Sequence, residues 1–220
     1  MSLKNKRILI TAGPTWVSID SVRVIGNIAT GETGILLAEK LQNFGARVTL
    51  LLGPVETCCL NKKIRLIHFK FFDELRRIIA KELTSKKYDI VIQTAAVSDY
   101  RPQISFKQKV KSGIKQWRLN LVPTPKIIDL IKKVDRIIYL VGFKFEPEAS
   151  RKILIDKTRS LMNRTKLDLA VANTIGKNGY QAYIVSQNRI QGPMRNKKDL
   201  VQKLIKVLSF NCPECSFAKK

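Results

Sequence analysis

Four short runs carry residues whose types and spacing could do chemistry on a phosphorylated ligand. Thr11-Ala12-Gly13-Pro14-Thr15 closes an apolar stretch, and Asn27-Ile28-Ala29-Thr30-Gly31-Glu32-Thr33-Gly34 leads into a helical pattern. Ala95-Ala96-Val97-Ser98-Asp99-Tyr100 closes a second apolar stretch, and Lys109-Val110-Lys111 sets two ammonium groups one residue apart. A small-residue turn ahead of a helix aims backbone N–H groups and the positive end of the helix dipole at an anion. Lysines in alternate positions of an extended strand share a face, which suits neutralising phosphate charge. Asp99, at a sheet rim, could bind a metal, a hydroxyl or a base edge, or simply cap its own turn. Gly31 and Gly34 also read as packing contacts, and Lys109 and Lys111 as solvated charges.

What the chain lacks narrows the chemistry. His68 is its only histidine and lies in an apolar run, as a buried or edge residue rather than a general base. Neither a G-x-x-x-x-G-K-[ST] phosphate loop nor a nucleophile elbow is present. A dinucleotide fingerprint would follow its strand directly, whereas about fifteen residues separate the first strand from the Gly31–Gly34 turn. The pattern points away from nicotinamide or flavin, and toward activation by a nucleotide rather than by a protein nucleophile.

The elements that must hold these runs alternate. Lys6–Gly13, Arg47–Pro54, Ile64–Phe69 and Asp89–Thr94 read as strands, with a loop from Pro14 to Ile28 and helices from Gly34 to Leu41, stopped by Gly45, and from Phe72 to Leu83. From Tyr100 to Val122 polar and apolar residues alternate, which predicts a projecting hairpin arm with Lys109 and Lys111 on one face and a turn at Gly113. A helix to about Lys133, a strand Ile137–Gly142, a helix from about Glu148, strands Leu167–Ala172 and Tyr180–Ser186, and a helix Lys198–Leu208 complete the order. The prediction is an α/β fold: a Rossmann-like, doubly wound, mainly parallel sheet with its site at the strands' carboxyl ends. One domain spans residues 1–210, and 211–220 form a basic C-terminal tail.

With 41 Lys+Arg against 17 Asp+Glu the formal charge is +24, so anionic partners are expected, either a nucleic-acid surface or a phosphate-rich small molecule. The basic residues are spread along the chain as solvated faces, not gathered in one block. Four cysteines without a signal peptide or a long apolar run place the protein in a reducing cytoplasm. Cys58-Cys59 and Cys212-x-x-Cys215 supply only one C-x-x-C pair, so no metal site is expected.

Taken in order, these runs resemble phosphopantothenoylcysteine synthetase. The match extends through Ile19-Asp20, Val22-Arg23, Gly45–Leu50, Gly53-Pro54, Leu121–Pro125, Gly142-Phe143 and Asp168–Asn173, from about Lys6 to Ser186. The resemblance implies a ligase of coenzyme A biosynthesis. It would activate 4′-phosphopantothenate with CTP or ATP, accompanied by Mg²⁺, to an acyl-nucleotide, then couple L-cysteine. By position it implies that Asn27 and Lys109 are catalytic. Gly13, Thr15, Gly31, Gly34, Ala95, Ala96 and Lys111 would hold substrate or intermediate. Asp99, Lys109, Pro125, Lys126, Ile127, Ile128, Phe143 and Lys144 would hold the nucleotide.

The sequence departs from the family pattern at Pro14, at Ser112, and at Leu161 and Thr165 where two lysines are expected. Lys144 resembles instead the ATP-using branch. The resemblance further implies a homodimer, with the arm reaching toward the other subunit's site. It also implies a separate phosphopantothenoylcysteine decarboxylase as functional partner, while the lack of a run of eighteen apolar residues predicts no membrane attachment. A basic nucleic-acid-binding module and a Rossmann oxidoreductase are the alternative readings.

Overall fold

The computed structural model describes residues 3–56 and 60–211. Cys58, Cys59, Cys212 and Cys215, and with them the thiolate question and the tail past Asn211, lie outside the described residues. The chain begins with β1 (Arg7–Ala12), β2 (Trp16–Ser18), β3 (Val24–Gly26), α1 (Glu32–Asn43), β4 (Arg47–Leu52), β5 (Arg65–His68) and α2 (Phe72–Ser85). It continues with β6 (Ile90–Gln93), β7 (Tyr100–Pro102), β8 (Leu121–Pro123), α3 (Ile127–Val134), β9 (Tyr139–Phe145) and α4 (Arg151–Thr165). β10 (Leu169–Gly176), β11 (Gly179–Val185), β12 (Ile190–Met194) and α5 (Lys197–Asn211) complete it.

The apolar runs become central strands because a strand covered on both faces must be apolar at consecutive positions. Ile8, Leu9 and Ile10 are wholly buried, as are Ile90, Val91 and Ile92. Eight strands form one sheet in the order β12-β11-β10-β9-β6-β1-β4-β5. It is parallel from β10 to β5, with β11 and β12 added antiparallel. α1 and α5 cover one face through Leu37, Leu41, Leu200 and Leu204. α2, α3 and α4 cover the other through Leu75, Ile79, Ile131 and Leu154. This is the expected doubly wound sheet, and His68 ends its exposed edge strand β5.

Four local expectations are corrected. The Pro14–Ile28 stretch, read as loop, contains the β2–β3 hairpin. β12 was missed because Gly192-Pro193 argues against a strand; at the sheet edge a residue without an N–H is tolerated. α4 starts at Arg151 on the Ser150 cap, since Glu148 takes φ 55°, outside helical backbone. The arm pairs only at its base, where β7 meets β8 and Gln103 N–H donates to Asn120 O. Between them lies no strand, so Lys109 and Lys111 do not share a strand face. Lys107, Lys109, Lys111, Lys115 and Arg118 would set like charges along a narrow ribbon, which disfavours a ladder.

One buried carboxylate locks α2 to the sheet. Glu82, 4% exposed, takes both guanidinium arms of Arg65, at 2.5 and 3.0 Å. It also accepts from the Tyr88 hydroxyl, which in turn accepts from Thr49 at 3.2 Å. Burial alone would raise the Glu82 carboxyl, but the Arg65 and Tyr88 bonds outweigh it and hold it below the usual range. A depressed carboxyl contributes stability above its ordinary pKa of about 4.3 and loses it as pH falls through the lower folded value. Glu82→Gln is expected to lower the unfolding free energy at neutral pH by about 1–3 kcal/mol. Its deficit should shrink in acid, and denaturant titrations at pH 7 and pH 3 measure both effects.

Candidate active site

β1 pairs with β4 on one side and β6 on the other. The chain leaves β1 through α1 to β4, then returns across the opposite flank, so the crevice at the carboxyl ends of β1 and β6 is the switch point where such sheets bind ligands. The backbone there is packed as tightly as glycine permits. Gly31, the residue before α1, has φ 70° and a missing Cβ only 3.2 Å from Gly13 N. A Cβ on Gly34 would stand 2.5 Å from Ala12 Cβ and 2.7 Å from Thr94 Oγ1. Both glycines are therefore packing contacts, and the packing presses the amino end of α1 against the end of β1. Gly31 offers that helix no side-chain cap; Thr30 Oγ1 takes the Glu32 N–H at 3.4 Å, and the next first-turn N–H groups have no partner within the helix.

Hydrogen bonds stitch the loops around this point. Ala96 O accepts from Thr15 N and from Asn27 Nδ2 at 3.0 Å, while Ala96 N–H donates to Gly13 O. Ala95 N–H reaches the Thr11 hydroxyl. Buried Thr15 exchanges bonds with Ser98, whose carbonyl accepts from the Thr124 hydroxyl. Gly13, Thr15, Asn27, Gly31, Gly34, Ala95 and Ala96 are thus brought together. Asp99 stands exposed at the rim and pairs with Lys126 at 2.5 Å, a contact worth little in solvent. Pro125 precedes α3, and Ile128 lies beneath Gly142. Ile127 is buried in the α2–α4 core, where its side chain packs rather than faces a ligand.

Phe143 packs with the α1 face, and by strand alternation its neighbour Lys144 faces the other side. Lys144 Nζ meets Glu146 at 2.7 Å, and Lys157 of α4 reaches the same carboxylate at 2.5 Å. These two cations hold the Glu146 carboxyl below its usual range. Leu161 and Thr165 do not take part: Leu161 packs on the core and the buried Thr165 hydroxyl bonds Leu161 O. Sequence reading passed over Lys157. Its signal was a lysine one helical turn before Leu161, where the missing charge was sought.

Sequence reading also passed over Gln93. Among the described residues Gln93 Oε1, Asn173 Oδ1 and Thr174 Oγ1 are buried without a partner, and all three sit toward the carboxyl ends of β6 and β10. Polar side chains closing apolar strands were the available signal.

Lys109 and Lys111 are exposed, and the structure does not bring them into the stitched loops. It docks the residue between them: Val110 N–H donates to Asp20 Oδ2 at 3.1 Å. Asp20 also accepts from Val22 N, Arg23 N and the Arg23 guanidinium. Burial opposes its charge, yet these bonds bring its pKa down to about 2. A cavity of about 920 Å³ beside Lys132, Arg159 and Asp168 opens at the amino ends of β9 and β10, away from the switch point.

A profile for the DNA/pantothenate metabolism flavoprotein C-terminal domain matches residues 3–209. The coenzyme A biosynthesis bifunctional protein CoaBC of Thermococcus kodakarensis is 37% identical over 209 residues, 92% of this chain and 51% of that protein. The chain spans about half the length of the curated CoaBC relatives it matches first. The crystal structure of the DNA/pantothenate metabolism flavoprotein from Streptococcus pneumoniae superposes with a TM-score of 0.83 at 26% identity, covering 93% of this chain and 98% of that one. A Cab2 variant in complex with phosphopantothenate-cysteine shares the fold, with a TM-score of 0.68 at 18% identity over 94% of this chain and 87% of that one.

The tight seat of α1 yields a stability test. Gly34→Ala must displace Ala12 or Thr94, and the overpacking is expected to cost about 1–3 kcal/mol. Gly113→Ala, at an open turn with nothing within 4 Å, should cost less despite its positive φ. Thermal melts of the two variants side by side check the order.

Proposed function

Because the chain belongs to the family of the DNA/pantothenate metabolism flavoprotein C-terminal domain, we propose that it is a phosphopantothenate–cysteine ligase. The observation that supports this most is the amino end of α1 seated on Gly13, with Asn27 fixed to Ala96 beside it. That arrangement offers oriented donors for phosphate and carboxylate oxygens and contains no protein nucleophile. In the proposed reaction the carboxylate of 4′-phosphopantothenate attacks the α-phosphorus of CTP or ATP. A C(O)O–P bond forms and pyrophosphate leaves with the electron pair of the broken P–O bond. The amine of L-cysteine then attacks the acyl carbon, the nucleoside monophosphate departs, and the amine proton passes to solvent.

Positioning and charge stabilisation carry such a reaction. Asn27 and the α1 N–H groups orient the acyl-nucleotide, with Thr15, Ala95, Ala96 and Gly13 shaping its seat. Asp99, Pro125, Lys126, Ile128 and Phe143 approach the nucleotide. Lys109 and Lys111 approach the phosphate charge. Lys144 and Lys157 supply positive charge from the end of β9, so both CTP and ATP are expected to be used. Mg²⁺ arrives with the triphosphate. Among the described residues no three His, Cys, Asp or Glu side chains converge, which fits an ion held mainly by phosphate oxygens and water.

We also propose a homodimer, supported by large apolar side chains left exposed beside β3 and in the arm, Ile28 and Ile104 among them. Among the described residues no helix is long and apolar enough to cross a membrane, and a cytoplasmic enzyme supplied with a separate decarboxylase suits the reaction.

The direct test incubates the protein with 4′-phosphopantothenate, L-cysteine, Mg²⁺ and either CTP or ATP. Pyrophosphate release and product mass are the readouts, and no amide product with either nucleotide overturns the proposal. Lys109→Gln is expected to bind nucleotide, to lose about 2–4 kcal/mol of transition-state stabilisation, and to accumulate acyl-nucleotide visible by mass spectrometry. Normal turnover in Lys109→Gln with a dead Lys111→Gln moves the role to Lys111. Asn27→Asp should slow turnover severely, and a wild-type rate there removes Asn27 from the chemistry.

A further inference from the structure

The lysine-bearing segment has almost no structure of its own. Among the described residues, the hydrogen bonds that residues 104–119 make to the rest of the molecule run to one turn, between β2 and β3. Phe106 N–H donates to Ile19 O at 2.9 Å, Val110 N–H to Asp20, and Arg23 Nη1 to Val110 O at 3.4 Å. The Arg23 guanidinium lies 5.2 Å above the Trp117 ring, which packs against Phe106. Asp20 is the centre of this contact. Its side chain is wholly shielded from solvent, and a shielded carboxylate is tolerated only when its lone pairs are taken. Val110 N–H supplies one of the four bonds that satisfy it.

The turn holds the other half of the site as well. β3 runs from it, Val24 to Gly26, directly into Asn27. One carboxylate therefore ties the backbone between Lys109 and Lys111 to the hairpin that presents Asn27. We propose that Asp20 is a positioning residue: it fixes the lysine segment against the β2–β3 turn, so that Lys109 and Asn27 are delivered to the crevice as one unit. The consequence for turnover rests on the ligase reading above; the tether itself does not.

Asp20→Asn is nearly isosteric but carries one acceptor oxygen in place of two and sets an NH₂ group against N–H donors. Hydrogen exchange of the Val110 amide should accelerate about tenfold or more in this variant, while amides of β1 and β6 keep their protection. Turnover should fall by a similar factor, with KM for nucleotide within about twofold and acyl-nucleotide accumulating. The double variant Asp20→Asn/Lys109→Gln should be no slower than Lys109→Gln alone, since a positioning residue has nothing left to position. Asp20→Glu, which keeps the carboxylate, should recover part of the rate. Should Asp20→Asn fold poorly, the wild-type Val110 amide still decides: exchange as fast as that of the open turn at Gly113 overturns the tether. Additive losses in the double variant overturn the positioning role. Absence of any ligase activity in the wild type removes the ligase reading and leaves the exchange result to judge the tether.

Discussion

The structure depends on how closely the amino end of α1 approaches the end of β1. Gly13, Gly31, Gly34 and Gly53 meet there against close neighbours: Gly13 N beneath Gly31, Ala12 and the half-buried Thr94 beneath Gly34, Pro14 O against Gly53. The contact brings the helix N–H groups to the sheet edge without any intervening side chain. It also explains why the Gly31–Gly34 turn lies so far along the chain from β1. The β2–β3 hairpin occupies the intervening residues, so the helix enters from outside the crevice and not straight from the strand, as it does in a dinucleotide fold.

Given that contact, the surrounding loops have little freedom. Thr15, Ser98 and Thr124 fix them from buried positions, and Asn27 does so from the exposed side. Thr15 and Ser98 exchange three bonds, Thr124 closes on Ser98 O, and Ala96 O serves two donors. Leaving a buried Thr15, Ser98 or Thr124 group unpaired would cost about 1–3 kcal/mol, so these loops favour one arrangement before a ligand arrives. A site that works by alignment needs this rigidity. The lysine segment is held differently, by bonds to the single turn between β2 and β3 in place of a ladder.

Much of this was legible from sequence, because long apolar runs such as Lys6–Gly13 and Asp89–Thr94 can only be buried strands. The turns at Gly31 and Gly34, the rim position of Asp99 and the helix after Pro125 followed from the same punctuation. The arm was misread for a physical reason: alternation at Ser105–Gly113 and Gln116–Leu121 is satisfied equally by a ribbon and by a coil whose apolar residues fold onto another loop. Phe106, Val110 and Trp117 take the second course, because Asp20 and Arg23 offer them a partner that periodicity does not reveal. Three-residue strands such as β2 and β3 carry too little pattern to read. Lys157 was passed over because a register counted back from Leu167-Asp168 ignores which helical turn reaches the end of β9.

The charge balance gains meaning once the acids are placed. Acidic side chains are scarce, and many are anchors: Asp20 on the arm, Glu82 on β5, Asp89 on Arg7 N, Asp168 on Leu140 N, Glu146 between two lysines. Few remain to offset the cations, and the formal charge stands at +24. Such a surface raises the local concentration of phosphorylated anions and speeds their encounter with the protein. It does not choose between them, because the Debye length at physiological salt is about 8 Å and distant charges are screened. In the proposed ligase, discrimination would therefore come from the groups assigned to the ligand there: the α1 N–H groups, Asn27, and the cations at Lys109, Lys144 and Lys157. The excess charge acts on rates of arrival, and the packed crevice acts on what is held.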